Sequence, residues 1–174
     1  MRIQELRDPR QKIYIALLEL NLSWSKREVG EFQKKWHEGD SIIELADHFY
    51  RPVDEIALLI IDLAHYGYLL PRSNGLNSSK EQSIQKKFKS SRNRYYESLV
   101  NFDFCWDEKE VSEFIRLWTS NLSILEIAKH FDRHVIDIAI LIIDQTRKDK
   151  IFPRKHGLFG KDGEMSEIIT KRAS

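Results

Sequence analysis

The stretch WSKREVGEFQKKWHEGDSIIELADHFYRPVDEIALLIID, which runs from Trp24 to Asp62, decides the fold because it occurs twice. Its second copy, WDEKEVSEFIRLWTSNLSILEIAKHFDRHVIDIAILIID, begins at Trp106, an offset of 82 residues. The similarity continues without a gap through PRSNGL and PRKHGL, and about 24 of the 53 aligned positions are identical. Self-similarity of this kind marks two copies of one structural unit.

Capping signals predict where the first two helices of each repeat begin. Ser25 and Glu28 form a capping box before an apolar stripe, and Ser41 and Glu44 form another 16 residues later. The second repeat carries the same signals at Asp107, Glu110, Ser123 and Glu126. Each repeat therefore contains at least two short helices, and their tryptophans and phenylalanines face the core.

A third helix is predicted over about 52–66 and again over about 134–148. It is apolar nearly all round, which is typical of a helix buried on two sides. Leu59, Ile61, Leu141 and Ile143 remain outside the core stripe. The preferred interpretation is that the unit's own opening helix, near 9–21 and 91–101, covers this second face; the alternatives are the other unit and a second chain.

The sequence thus predicts an all-α protein of two tandem units, each with three to four helices. Repeat matching places the first unit at 1–76 and the second at 91–174, joined by a basic linker at 77–90.

The residues that carry a family resemblance are the same in both repeats. The pattern resembles the tri-helical helix-turn-helix of the Myb/SANT-like kind and of related small bacterial and phage DNA-binding proteins. The residues are Trp24, Phe32, Trp36, Ser41, Ile42, Ala46, Phe49 and Arg51, with their partners 82 positions later. The resemblance implies that the third helix enters the DNA major groove and that tandem copies read adjacent segments.

The third helix departs from that family at its outer face. A helix that reads base edges presents Arg, Lys, Asn or Gln. The sequences PVDEIALLIIDLAHY and HVIDIAILIIDQTRK present mainly aliphatic and acidic residues instead. Contacts with DNA are therefore expected mainly from other segments.

Local charge indicates where those contacts lie. Residues 24–76 have a net charge of −3 and residues 106–158 a net charge of 0, whereas residues 77–96 have a net charge of +5. The basic segment is a candidate phosphate-binding region, and a solvated linker is its alternative interpretation. Tyr95 and Tyr96, which follow it, are interpreted as core residues or as residues that stack on bases.

Ten residues are candidate DNA contacts. Arg51 and Arg133 precede the third helices, where they contact either phosphates or local acids such as Asp54 and Asp137. Arg154 follows a proline in a possible wing, as Arg72 does in the first repeat. The full set is Arg51, Lys86, Lys87, Lys89, Arg92, Arg133, Arg147, Lys148, Lys150 and Arg154. The second repeat is the better candidate for DNA, and the first for protein contacts.

Composition and motif content exclude several classes of protein. One cysteine, Cys105, excludes an internal disulfide framework, and a buried free thiol is expected. No apolar run is long enough to cross a membrane, and the N-terminus is too polar for a secretory signal, so a cytoplasmic protein is expected. No catalytic or metal-ligand motif occurs, and His48 and His130 are interpreted as structural. The sequence predicts a DNA-binding regulator that is not an enzyme and has no cofactor or metal; the alternative is a module that binds protein through the apolar third helices.

Overall fold

The computed structural model describes residues 13–78 and 95–161 of the chain. These residues form six α-helices, four three-residue strands and one short 3-10 helix. The strands pair into two antiparallel sheets of two strands each. The protein is therefore mostly helical, and the purely all-α prediction is wrong.

The helices begin close to where their sequence signals place them. Both capping boxes of the first repeat are present, with Ser25 and Ser41 each accepting from the backbone N–H three residues on, at 3.2 Å. The elements, in chain order, are β1 (Ile13–Ile15), β2 (Ser23–Ser25), α1 (Lys26–Glu38), α2 (Ile42–Phe49), α3 (Val53–His65), β3 (Tyr95–Glu97), β4 (Cys105–Asp107), α4 (Glu108–Thr119), α5 (Ile124–Phe131), α6 (Val135–Arg147) and the 3-10 helix (Gly157–Phe159).

The chain forms two compact units that do not follow the repeat boundaries. The first unit holds residues 19–101, and the second holds residues 1–18 and 102–174. In the first unit β2 pairs with β3, and in the second β1 pairs with β4. The opening segment of each repeat therefore belongs to the unit that contains the helices of the other repeat. Most of the linker predicted at 77–90 lies outside the described residues.

The opening segments are strands followed by turns, so the opening helices predicted near 9–21 and 91–101 are wrong. After each strand the backbone turns through a left-handed residue, Leu17 at φ 55° and Leu99 at φ 61°. A leucine in this region carries a conformational cost, which the surrounding structure must offset. Both leucines are completely or nearly completely buried.

A buried aspartate on the third helix holds each turn in place. In the second unit Asp144 accepts hydrogen bonds from the Tyr14 hydroxyl and from the Leu17 N–H, the latter at 2.8 Å. In the first unit Asp62 accepts the equivalent bonds from the Tyr96 hydroxyl and, at 2.9 Å, from the Leu99 N–H. The opening segment of the other repeat thus packs on each third helix, and it does so as a strand followed by a turn rather than as a helix.

The core of the first unit consists of the predicted aromatic and aliphatic stripes. Trp24, Phe32 and Trp36 are buried, which confirms their placement. Leu59 lies within this core rather than on a second face, and Ile61 is half-buried. The buried set is Trp24, Val29, Phe32, Trp36, Leu45, Ala46, Ile56, Leu59, Ile60, Leu63 and Leu69.

The stability of the first unit is expected to depend on the protonation of Asp62. Burial raises the pKa of this carboxyl, although the Tyr96 hydroxyl and the Leu99 N–H favour its charged form. Because the pKa of Asp62 is higher in the folded than in the unfolded protein, its full contribution to stability is present below the unfolded pKa of about 4. That contribution is lost as the pH rises through the folded-state pKa. Urea unfolding across this pH range should show a shallower decline in the Asp62→Asn variant than in the wild type. Asp47→Asn, at an exposed site, is the matched control; equal slopes for wild type and Asp62→Asn would contradict the assignment.

Candidate nucleic-acid interface

In both units a three-residue turn joins the second helix to the third. Tyr50 and Asp132 end α2 and α5 in left-handed conformation, with φ values of 52° and 51°. The next backbone N–H, of Arg51 or Arg133, donates to the carbonyl of the fourth-last residue of that helix at 3.1 and 3.0 Å. This turn sets the direction of the third helix, and it gives each unit a compact helix–turn–helix arrangement.

Arg51 binds its own unit instead of facing outward. Its guanidinium donates to the backbone oxygens of Asn21 and Ser23 at 2.9 and 2.7 Å, and it pairs with Glu55 at 2.9 Å. It also stacks on Trp24, 4.0 Å from the ring centroid. Of the two roles predicted for Arg51, the local ion pair is the one observed, and its partner is Glu55 rather than Asp54.

Arg133 has the equivalent role in the second unit. It donates to the Cys105 carbonyl at 2.8 Å, lies 3.2 Å from the Asp103 carboxylate, and stacks 3.8 Å from the Trp106 centroid. Its side chain is only 10% exposed, so little of it is available to a phosphate. Cys105 itself is half-buried, not fully buried as expected.

Arg154 contacts the end of α4. It donates to the carbonyls of Trp118 and Leu122 at 3.0 and 2.8 Å, and its guanidinium stacks 3.6 Å from the Trp118 centroid. Burial lowers the pKa of this guanidinium, which nonetheless stays charged. Arg72 makes the matching contacts to Trp36 and Asp40 in the first unit.

Lys148 is also engaged within the second unit. Its ammonium lies 2.7 Å from the Tyr14 hydroxyl and 2.9 Å from the Asp144 carboxylate. Burial opposes its charge, but these two hydrogen bonds outweigh burial and raise the pKa of Lys148. Its position is therefore fixed by the Tyr14–Asp144 pair.

The remaining candidates fall into two groups. Arg147, the last residue of α6, and Lys150 are exposed. Lys129 and Lys155, which are not among the ten candidates, are also exposed on the second unit. Lys86, Lys87, Lys89 and Arg92 lie outside the described residues. The structure thus leaves exposed cations on the second unit, but it engages Arg51, Arg133, Arg154 and Lys148 in contacts within the protein.

The outer faces of the third helices are mainly aliphatic, because four of the five acids in these helices are buried and only Asp54 is partly exposed. No Arg, Lys, Asn or Gln occurs between residues 52 and 64 or between residues 134 and 144. The partly exposed side chains include Val53, Asp54, Ala57 and Ile61 in the first unit and Val135, Ile136, Ala139 and Ile143 in the second. Apart from Asp54, these side chains lack the donors and acceptors that discriminate base pairs.

The first unit presents an apolar surface that sequence reasoning missed. Ile43 is 54% exposed and lies one helical turn before the exposed Asp47 on α2, and Tyr50, which follows the helix, is 95% exposed. The sequence pattern gives Ile43 no role, because its neighbour Ile42 accounts for the inward stripe. Exposed aromatic and aliphatic side chains with an acidic rim are typical of a protein contact.

The paired histidines make equivalent contacts in the two units. His48 lies 2.8 Å from the Glu31 carboxylate and packs its ring edge against Phe49. His130 repeats both contacts with Glu113 and Phe131. Each histidine therefore links the second helix of its unit to the first.

Comparison with protein-family models, with curated proteins and with solved structures gave no match. Among the described residues, no helix combines the length and the apolar character needed to cross a bilayer. The clues to function therefore come from the surface and the cavities of the molecule itself.

Proposed function

We propose that the protein is a non-catalytic DNA-binding regulator whose second unit and basic segment 77–96 contact the phosphate backbone. The observation that carries the proposal is the helix–turn–helix arrangement of α2–α3 and α5–α6, which supports the resemblance drawn from the sequence. Two parts of the chain supply the cations: the described part of the second unit exposes Lys129, Arg147, Lys150 and Lys155, and the basic segment 77–96 has a net charge of +5.

The proposed mode is recognition of the backbone rather than of bases. Phosphate contacts position a protein on DNA, and base contacts specify the sequence. Because the third helices present mainly aliphatic side chains, the binding energy comes from ion pairs with phosphates and from the counterions they release. We therefore expect binding that depends steeply on salt and discriminates weakly between duplexes.

The test is a titration of a short labelled duplex, followed by fluorescence anisotropy, at two salt concentrations. Replacing Lys86, Lys87 and Lys89 with Glu should weaken binding to every duplex. It should also reduce the slope of log K against log salt by about 0.9 for each ion pair with a phosphate that the substitution removes. Replacing Lys129, Lys150 and Lys155 with Glu should likewise weaken binding and reduce the slope of log K against log salt.

The matched control places the same charge change on α1 of the first unit, at Lys26, Arg27 and Lys34. Its slope should stay close to that of the wild type, because net charge changes equally but the proposed contacts remain. Absence of DNA binding at low salt, or equal decreases in affinity in control and test variants, would overturn the proposal.

The exposed apolar surface of the first unit favours a second candidate function, the binding of another protein. Ile43, Tyr50 and Val53 are exposed within one short stretch of chain that also exposes Glu44 and Asp47, which fits a partner with apolar and basic side chains. A protein-binding module of this kind predicts no salt-dependent affinity for DNA. The same titration therefore distinguishes the two functions.

A further inference from the structure

A cavity in the first unit is lined by aromatic rings and carboxylates. Its volume is about 250 Å³, and its walls include Tyr66, Tyr68, Tyr96, Asp62 and Glu97. The rings of Tyr66 and Tyr68 lie 6.4 Å apart at 45°, and the Asn101 side-chain amide donates to the Tyr66 hydroxyl at 2.5 Å. Tyr66 is 43% exposed, so the cavity is open to solvent at this ring.

In the second unit, a lysine ammonium group lies at the position equivalent to this cavity. Lys148 occupies the position in the second repeat that Tyr66 occupies in the first. Its ammonium lies 4.6 Å from the centroid of the Tyr14 ring, 2.7 Å from that hydroxyl and 2.9 Å from Asp144. Tyr14 and Asp144 are the counterparts of Tyr96 and Asp62. The second unit therefore supplies an ammonium group to this pair from its own chain.

The first unit has the same tyrosine and aspartate pair, Tyr96 and Asp62, but no lysine at the position equivalent to Lys148. The Tyr96 hydroxyl still donates to Asp62, which is only 1% exposed. Relative to the second repeat, tyrosines stand in place of Lys148 and Lys150, and Glu97 stands in place of Ile15. Three aromatic rings and two carboxylates attract a cation through the ring faces and through direct charge.

We propose that this cavity binds a primary ammonium group on an alkyl chain, in the manner in which Lys148 occupies the second unit. The carboxylates disfavour an anion, and an ammonium offers donors to Asp62 and Glu97 that a neutral apolar group lacks. The chemistry is that of a lysine side chain on another polypeptide or of a free alkylamine. This proposal does not rest on the proposed DNA contacts, because those use lysine and arginine side chains whereas the cavity uses tyrosines and carboxylates.

The experiment is an NMR titration of the full chain with three probes: butylamine, a short Ala-rich peptide containing one lysine, and the same peptide acetylated at the lysine amine. The two charged probes should shift the backbone amides of Glu97, Leu99 and Asn101. The acetylated peptide should bind about tenfold more weakly or not at all, because it lacks the charge. Stronger binding of the peptide than of butylamine would identify a polypeptide lysine as the source, and the reverse would identify a free amine.

Matched variants separate the cavity from general charge effects. Tyr66→Lys places a lysine where the second unit has Lys148, so it should fill the site and reduce binding of both charged probes about tenfold. Leu76→Lys adds a lysine at a residue of similar exposure, 46%, in the same unit but outside the cavity, and it should bind like the wild type. Glu97→Gln, at an exposed strand position, tests the site with little risk to folding and should weaken binding severalfold.

Three results would overturn the proposal. The first is equal binding of the acetylated and charged peptides, which would indicate an apolar pocket. The second is wild-type affinity in a folded Tyr66→Lys variant together with wild-type affinity in Glu97→Gln. The third is a set of shifted amides outside the cavity.

Discussion

Deleting residues 1–18 is expected to unfold the second unit and to leave the first unit folded. The sequence alone predicts the opposite, because residues 9–21 adjoin the helices of the first repeat. In the structure, β1 pairs with β4, and Ala16 and Leu17 are buried in the second unit at 1% and 2% exposure. The deletion therefore removes a strand and a buried turn from helices that begin about 90 residues later.

The expected loss of stability is large because Asp144 would be deprived of two of its hydrogen-bond donors. This carboxylate is 0% exposed, and the deletion removes the Tyr14 hydroxyl and the Leu17 N–H together. Each buried hydrogen bond left unmade costs about 1–3 kcal/mol, and more for a charged group. The missing burial of Ala16 and Leu17 adds to this cost. Small domains have a stability of about 5–15 kcal/mol, so most of the stability of the second unit should disappear.

Hydrogen exchange at individual amides measures this outcome. Protection should fall in α4, α5 and α6 and persist in α1, α2 and α3. Two conservative variants act as a matched pair: Tyr14→Phe should lower protection in the second unit only, and Tyr96→Phe in the first unit only. Reduced protection in α1–α3 after the deletion would show that each opening segment packs on its own repeat.

The helices could be predicted from the sequence because their signals are local. Ser25, Ser41, Asp107 and Ser123 each cap the helix that immediately follows, and the structure has all four capping boxes. The burial of Trp36 and Trp118 follows from the spacing of apolar residues along one helix. Such patterns involve residues three or four positions apart, so they do not depend on the tertiary structure.

The pairing of the opening segments could not be predicted in the same way. Tyr14 and Tyr96 occupy equal positions in two similar repeats, so each has the same two candidate partners, Asp62 and Asp144. No local sequence pattern predicts which of the two aspartates each tyrosine contacts. The spacing of Tyr14, Leu17 and Leu18 also suits either one face of a helix or a strand that enters a turn, and Leu18 proves to be 74% exposed.

The arginines show a second limit of sequence reasoning. A basic residue before a helix suits a phosphate and a buried carbonyl equally well, and the choice depends on residues distant in sequence. Arg51 meets the carbonyls of Asn21 and Ser23, about 30 positions earlier. Arg51 and Arg133 also stack on Trp24 and Trp106, which shields each guanidinium from solvent. Each tryptophan lies far from its arginine in the sequence, so no local pattern predicts the contact.

Replacing Trp36 or Trp118 with Ala should lower the free energy of unfolding of its own unit by about 3–5 kcal/mol. Both indoles are nearly buried, at 4% and 6% exposure, and their ring N–H groups donate to the carbonyls of Leu70 and Phe152 at 3.4 and 3.2 Å. Each ring also carries a stacked guanidinium, which the substitution would deprive of its aromatic partner. Urea unfolding monitored by circular dichroism measures the change. Trp→Phe at the same positions is the control: it keeps much of the buried volume and should cost less than Ala. A decrease below about 1 kcal/mol in the Ala variants would contradict the core assignment, because it is the size expected of a surface substitution and not of a large cavity.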